Sequence, residues 1–199
     1  MLTGRIFRHP LIASVAAVLG FVAVITSVSA PARAEQATAY MQRVANELLS
    51  AQRSGGAAPS NYAAAIRNHA DVAAIGLTAL GSYGNSLPKS ERPSYFNGMV
   101  NYIARYAAKE GAKYPVAKAI VVGQAEATAS GAYVDSRITL RDGGVYDVRW
   151  RLVKRGSSYK VRDAEVIGFE MTSFLNNMFQ SYIAENGGNP KALVTALNK

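Results

Sequence analysis

Candidate chemistry in this chain nearly reduces to one histidine and one pair of carboxylates. Of the two histidines in 199 residues, His9 lies in the first ten and His69 is the other. An imidazole can act as a general base or a metal ligand. His69, however, has only Asp71 in local reach, and one histidine cannot supply both a base and a metal site. Its place at a junction between two predicted helices points to a surface or capping role. Asp163 and Glu165 stand two apart on one face of a predicted strand. Such a pair can divide general acid and general base work, but Lys160 and Arg162 beside it favour a structural, solvated face. There is no cysteine, which removes a thiol nucleophile, a disulfide framework and a Cys-ligated metal. No H-E-x-x-H, G-x-S-x-G or phosphate-cradling glycine loop occurs, and Gly81 to Gly84 follows a helix and reads as its stop. Nothing here makes a positive case for catalysis, a metal or a cofactor.

The elements that would hold any other kind of site can be read from the spacing of apolar residues. Residues 35–115 are predicted to be helical. Tyr40, Val44, Ala45 and Leu48 fall at helical spacing before a Ser54-Gly55-Gly56 breaker. Ser60 is a plausible N-cap for a helix carrying Tyr62 and Ile66, and Asp71 for an all-round apolar helix over residues 71–81. Ser90 opens a longer helix to about Glu110, with two stripes, Tyr95/Met99/Tyr102/Tyr106 and Phe96/Val100/Ile103/Ala107. A helix apolar on two faces has something on both sides of it. From Lys118 the period changes to two. Strands are expected over residues 121–130, 133–140, 145–153 and 159–166, joined by turns at Asp142-Gly143-Gly144 and Gly156-Ser157-Ser158. Helical spacing returns with Met171, Phe174, Leu175, Met178, Phe179, Tyr182 and Ile183, and Asn189-Pro190 starts a last helix through Leu197. The predicted fold is α+β: an antiparallel sheet of about four strands, covered on its apolar face by helices from both ends of the chain. The large apolar side chains on those helices are either a core or the lining of a cavity for an apolar ligand.

The first 34 residues read as a cleaved secretory signal. Arg5, Arg8 and His9 form a basic head, residues 11–28 an uncharged apolar run, and Ala32-Arg33-Ala34 a small-x-small site ahead of Glu35. A retained anchor is the alternative, since such a run can just span a bilayer. Residues 35–199 would then be a single domain working in the periplasm. All thirteen acidic and nineteen of the 22 basic residues lie beyond Ala34, a net charge of +6 suited to anionic lipid surfaces or acidic partners. Export, and basic runs no longer than two residues, argue against nucleic acid.

From about Tyr62 to Leu197 the chain resembles the MlaC family of periplasmic phospholipid-binding proteins, the toluene-tolerance auxiliary family. Leu80-Gly81 with Tyr83, the Pro88-Lys89-Ser90-Glu91-Arg92 loop before Tyr95-Phe96, and Tyr106 with Tyr114 match weak motifs. The most specific stretch is Val148-Arg149-Trp150-Arg151-Leu152, Gly156, Tyr159-Lys160-Val161, Asp163 and Gly168, followed by Phe179, Gly187-Gly188, Leu193 and Leu197. It departs from the family at Tyr159, usually Trp; at Phe169-Glu170-Met171, usually Val/Ile-Ser-Leu; and at Asn176, often Arg. These departures leave a hopanoid-associated branch open beside the phospholipid carriers. The resemblance implies a soluble carrier, not an enzyme, that takes lipid acyl chains into an apolar pocket. It would shuttle phospholipid or a related lipid between an inner-membrane ABC-transporter complex and an outer-membrane lipoprotein/porin complex, in the service of outer-membrane lipid asymmetry. An α+β enzyme acting on a small apolar substrate and a structural adaptor of an envelope complex are the alternatives.

On that reading the pocket is expected between the sheet face and the helices. Val134, Ile138, Val148, Trp150 and Leu152 would contribute from the sheet. Leu77, Leu80, Phe96, Met99, Val100, Ile103, Tyr106, Phe174 and Met178 would contribute from the helices, with Phe169 near the mouth. The other sheet face, with Arg137, Arg149 and Arg151, is either simply solvated or a basic docking surface. The helix end at Lys109, Lys113 and Lys118 is the next candidate.

Overall fold

The computed structural model describes residues 29–53 and 58–199. The basic head and apolar run of the expected leader, and the Ser54-Gly55-Gly56 breaker, fall outside the described residues. The elements run α1 (Ala30–Arg53), α2 (Pro59–His69), α3 (Val72–Leu80), α4 (Arg92–Lys113), β1 (Val116–Ala127), β2 (Gly131–Leu140), β3 (Val145–Arg155), β4 (Ser158–Val166), β5 (Phe169–Glu170), α5 (Met171–Glu185) and α6 (Pro190–Leu197). Short 3-10 turns, Gly81–Gly84 and Lys89–Glu91, lie between α3 and α4. The fold is α+β, with all strands in one antiparallel meander ordered β1-β2-β3-β4-β5. The fifth, two-residue strand occupies the strand-to-helix junction that spacing alone leaves unassigned.

Helix starts differ from the predicted caps for physical reasons. Proline at the first turn has a preset φ and no N–H to satisfy, so α2 starts at Pro59 behind Ala58, and Ser60 lies inside it. Ser90 likewise falls within the Lys89–Glu91 turn, and α4 begins at Arg92. Asp71 holds the N-cap position of α3 without capping it: its carboxylate sits 2.6 Å from Arg155 and 3.8 Å from Arg162. Asn189 caps α6, accepting from the Lys191 N–H at 3.1 Å. The first turn of α5 borrows its cap from β4, where Asp163 accepts the Thr172 N–H at 3.0 Å.

The first helix does two jobs for the sheet. Its apolar side, Ala34, Ala37, Tyr40, Met41 and Val44, packs on Ala125, Ala132, Val134, Leu152 and Tyr159 at one end of the inner face. Its polar side runs along the edge strand. Thr38 Oγ1, Gln42 Oε1 and Gln52 Oε1 accept the backbone N–H groups of Ala125, Val121 and Val116 at 3.1, 3.0 and 2.8 Å. These bonds occupy donors on β1 that an open edge would offer to another chain. A second core, from Leu80, Leu87, Tyr95, Met99, Leu175, Phe179, Ile183, Leu193 and Leu197, joins α3, α4, α5 and α6. A third, Tyr62, Ala63, Val100, Ala104 and Ala108, joins α2 to α4.

The β4–β5 connection is a two-residue turn, Ile167-Gly168, with φ of 52° and 77°. Such a turn needs positive φ at both central positions, which glycine adopts freely and a β-branched residue does not. The strain at Ile167 is on the order of 1–3 kcal/mol. Its side chain, 69% exposed, recovers little of that by burial.

Candidate functional site

Beyond the part of the sheet that α1 covers tightly, the inner face fronts a cavity of about 640 Å3. Its walls are Ala45, Leu48, Leu49 and Gln52 of α1, Tyr62 of α2, Ala107 and Gly111 of α4, and Tyr114. The sheet adds Val116, Ala119, Ser136, Ile138, Leu140, Tyr146, Val148, Trp150 and Val166. Several contributors are small (Ala45, Ala107, Gly111, Ala119), and their missing side-chain volume leaves the space. No carboxylate, imidazole, ammonium or guanidinium lines it. Gln52 also anchors one end, where its Nε2 donates to Gly111 O at 3.0 Å and its Oε1 takes the Val116 N–H.

The polar groups on this wall are engaged or neutral. Trp150 Nε1 donates to Ser136 Oγ at 2.8 Å, and that hydroxyl lies 3.5 Å from Val148 O. A buried serine in an apolar wall is thereby satisfied, avoiding the cost of an orphaned donor. Burial raises the Tyr62 phenol above its ordinary pKa and keeps it uncharged. The arrangement can hold an apolar molecule, and tyrosine is the one ionisable type on its wall.

Of the residues expected to line a pocket, Ile138, Val148 and Trp150 do so. Val134 and Leu152 share their sheet face but lie under α1 in packed core. Leu80 and Met99 belong to the α3–α6 core, with Phe96, Ile103 and Met178 packed against it, and Val100 faces α2. Leu77, Tyr106, Phe169 and Phe174 are exposed. Spacing did not point to the α1 wall or to Ala107, Gly111 and Ala119; small residues on an apolar face were the available signal.

Of the remaining chemical candidates, His69 and Asp163 have structural partners. His69 Nε2 lies 2.6 Å from Glu47 Oε2 and its Nδ1 3.2 Å from the Tyr40 hydroxyl, so its ring joins the end of α2 to α1 and is engaged by those two residues rather than by Asp71. Among the described residues no cluster of His, Cys, Asp and Glu could hold a metal ion. On the outer sheet face two of the three arginines are paired, whereas Arg151 makes no ion pair among the described residues. Arg137 pairs with Asp147 at 2.8 Å, and Arg149 with Glu126 at 2.5 Å and Asp135 at 3.2 Å. The bond to Arg137 holds the Asp147 carboxyl below its usual range. Cross-strand neighbours thus neutralise Arg137 and Arg149 before any partner arrives.

The sequence matches the MlaC protein family over residues 35–199. The chain belongs to the MlaC family. Among solved structures it is similar to the phospholipid-binding protein from Ralstonia solanacearum, determined in complex with a phospholipid. The two share 18% identity with a TM-score of 0.68, over 82% of this chain and 95% of that one, a likeness of fold. No curated protein matches. Among the described residues of this MlaC-family chain, no helix is long and apolar enough to cross a membrane.

Proposed function

We propose that this MlaC-family chain is a periplasmic lipid carrier whose cavity takes an acyl chain. The observation that carries the reading is the apolar wall of about 640 Å3 without an ionisable group other than tyrosine. Family membership and the phospholipid held by the Ralstonia protein support it. A water occupies about 30 Å3 and a methylene about the same, so the cavity holds on the order of twenty methylenes. That is one long chain with room to spare. Each buried methylene gains about 0.8 kcal/mol over water. A bilayer offers nearly the same, so a carrier need only come close to matching it, and dry van der Waals contact suffices.

In this reading the leader is removed after Ala34, and the carrier moves phospholipid or a related lipid between an inner-membrane ABC-transporter complex and an outer-membrane lipoprotein/porin complex. Cleavage there would trim the first five residues of α1. Arg33, whose carbonyl accepts the Tyr159 hydroxyl at 3.1 Å, would go with them.

Native protein purified without detergent and extracted with organic solvent is expected to yield lipid near one mole per mole of protein, identified by mass spectrometry. Protein that is lipid-free and also takes up no fluorescent phospholipid from vesicles would end the carrier reading.

A further inference from the structure

The apolar surface that the cavity does not explain lies where β4 turns into α5. Phe169 is 75% exposed, and Ile167, Met171 and Phe174 are exposed around it, four large apolar side chains within eight residues. Ile167 stands at a position where asparagine or glycine would sit without strain. The strand that ends in this tip also lines the cavity through Val166, which pairs with both Val148 and Phe169.

The charges around the tip bear on what it could meet. Glu165 and Glu170 are directly opposed across the β4–β5 pair, an arrangement that repels unless a cation is near. Among the described residues Glu165 makes no ion pair, and Glu170 accepts from Ser173 Oγ alone, at 2.9 Å. Arg149 stands opposite Glu165 across the β3–β4 pair, but it and Arg137, in the groove bordering the tip, are ion-paired with Glu126, Asp135 and Asp147 rather than with Glu165. Bilayer-inserting segments carry lysine or arginine on their polar side; these flanks are acidic. We propose that the Ile167–Phe169 tip, with Met171 and Phe174, docks into an apolar recess rimmed by lysine or arginine on a membrane-bound protein. It rests on the carrier reading only in expecting that protein at a membrane. Val166, which pairs with Phe169 and lines the cavity, joins the tip to the cavity wall.

The test uses membrane vesicles from the cells in which the chain is native, and liposomes made from the lipids extracted from those vesicles. Saturable binding is expected to the vesicles, lost on protease treatment, and absent from the protein-free liposomes. Ile167→Gly/Phe169→Ser and Glu165→Lys/Glu170→Lys are each expected to weaken it at least tenfold while extractable lipid stays at the wild-type ratio. The glycine variant should also melt no lower than wild type, so lost binding cannot be put down to misfolding. Equal binding by either double variant, or no saturable binding at all, overturns the proposal. So does equal binding to the liposomes, which would make the bilayer the occupant, or a dimer in sedimentation that either variant abolishes, which would make it a second copy. Loss of extractable lipid from wild type would instead count against the carrier reading and leave the docking result standing.

Discussion

Tyr40 shows how a side chain apart from the cavity wall holds the wall in place. Its ring meets His69 edge-on and tilts against Tyr159, while its hydroxyl reaches His69 Nδ1 and donates to His69 O at 3.3 Å. Burial, more than the charge of Glu47 and against that of Arg43, pushes its pKa up to about 12. In the unfolded chain the phenol titrates near its ordinary value of about 10. The neutral phenol's contribution is therefore complete below about pH 10 and is lost as pH rises toward 12, because the unfolded chain then binds fewer protons. Buried Tyr95, which donates to Gly76 O at 2.9 Å, shifts in the same direction. Denaturation midpoints followed from pH 9 to 12 are expected to fall, and to fall less in Tyr40→Phe. An identical slope in the variant would mean that Tyr40 is solvated in solution.

At the scale of elements, α4 separates two environments along its length. Tyr95 and Met99 are sealed in the helical core, whereas about two turns and more beyond Met99 the residues Ala107 and Gly111 face the cavity. Filling that space without touching the core is the direct way to block the site. Ala107→Phe is expected to cut lipid uptake from vesicles at least fivefold while moving stability by only about 1–3 kcal/mol, the usual cost of overpacking. Undiminished uptake would place the ligand elsewhere. The same helix explains what was readable in advance. Period-two and helical spacing identify the inward faces, and Val134, Ile138, Val148, Trp150 and Leu152 do point to one side of the sheet. Which part of that side is covered depends on where α1 lies, and α1 contacts the sheet from some 87 residues away. Local patterning holds no information on that distance. It also ranks large apolar residues first, whereas a void forms where residues are small. Phe174 fits a helical stripe by spacing and is nonetheless exposed, and Phe169, expected near the pocket mouth, is exposed on the two-residue strand that follows the Ile167-Gly168 turn.

For the molecule as a whole, the meander and the first helix differ in how chain connectivity must close. Each of β1 to β4 pairs with its neighbour in sequence, so the sheet assembles by closing short loops. Docking of α1 closes the longest one, and loop-closure entropy is met before the contact repays it. The helix should therefore join late and leave early. Met41, fully buried on its inner side, is the probe. Met41→Ala is expected to destabilise by about 2–5 kcal/mol, almost wholly through faster unfolding, with the refolding rate within about threefold of wild type. Equal effects on both rates would put α1 in the folding nucleus. Its amides should exchange sooner than those of β2 and β3, a local opening well below the global unfolding energy. Since α1 carries Ala45, Leu48, Leu49 and Gln52 of the cavity wall, that fluctuation would also widen the cavity. Lipid exchange would then be slowed by whatever staples this helix to the edge strand, and a cross-link from α1 to β1 should lengthen the time a lipid stays bound without changing which lipids fit.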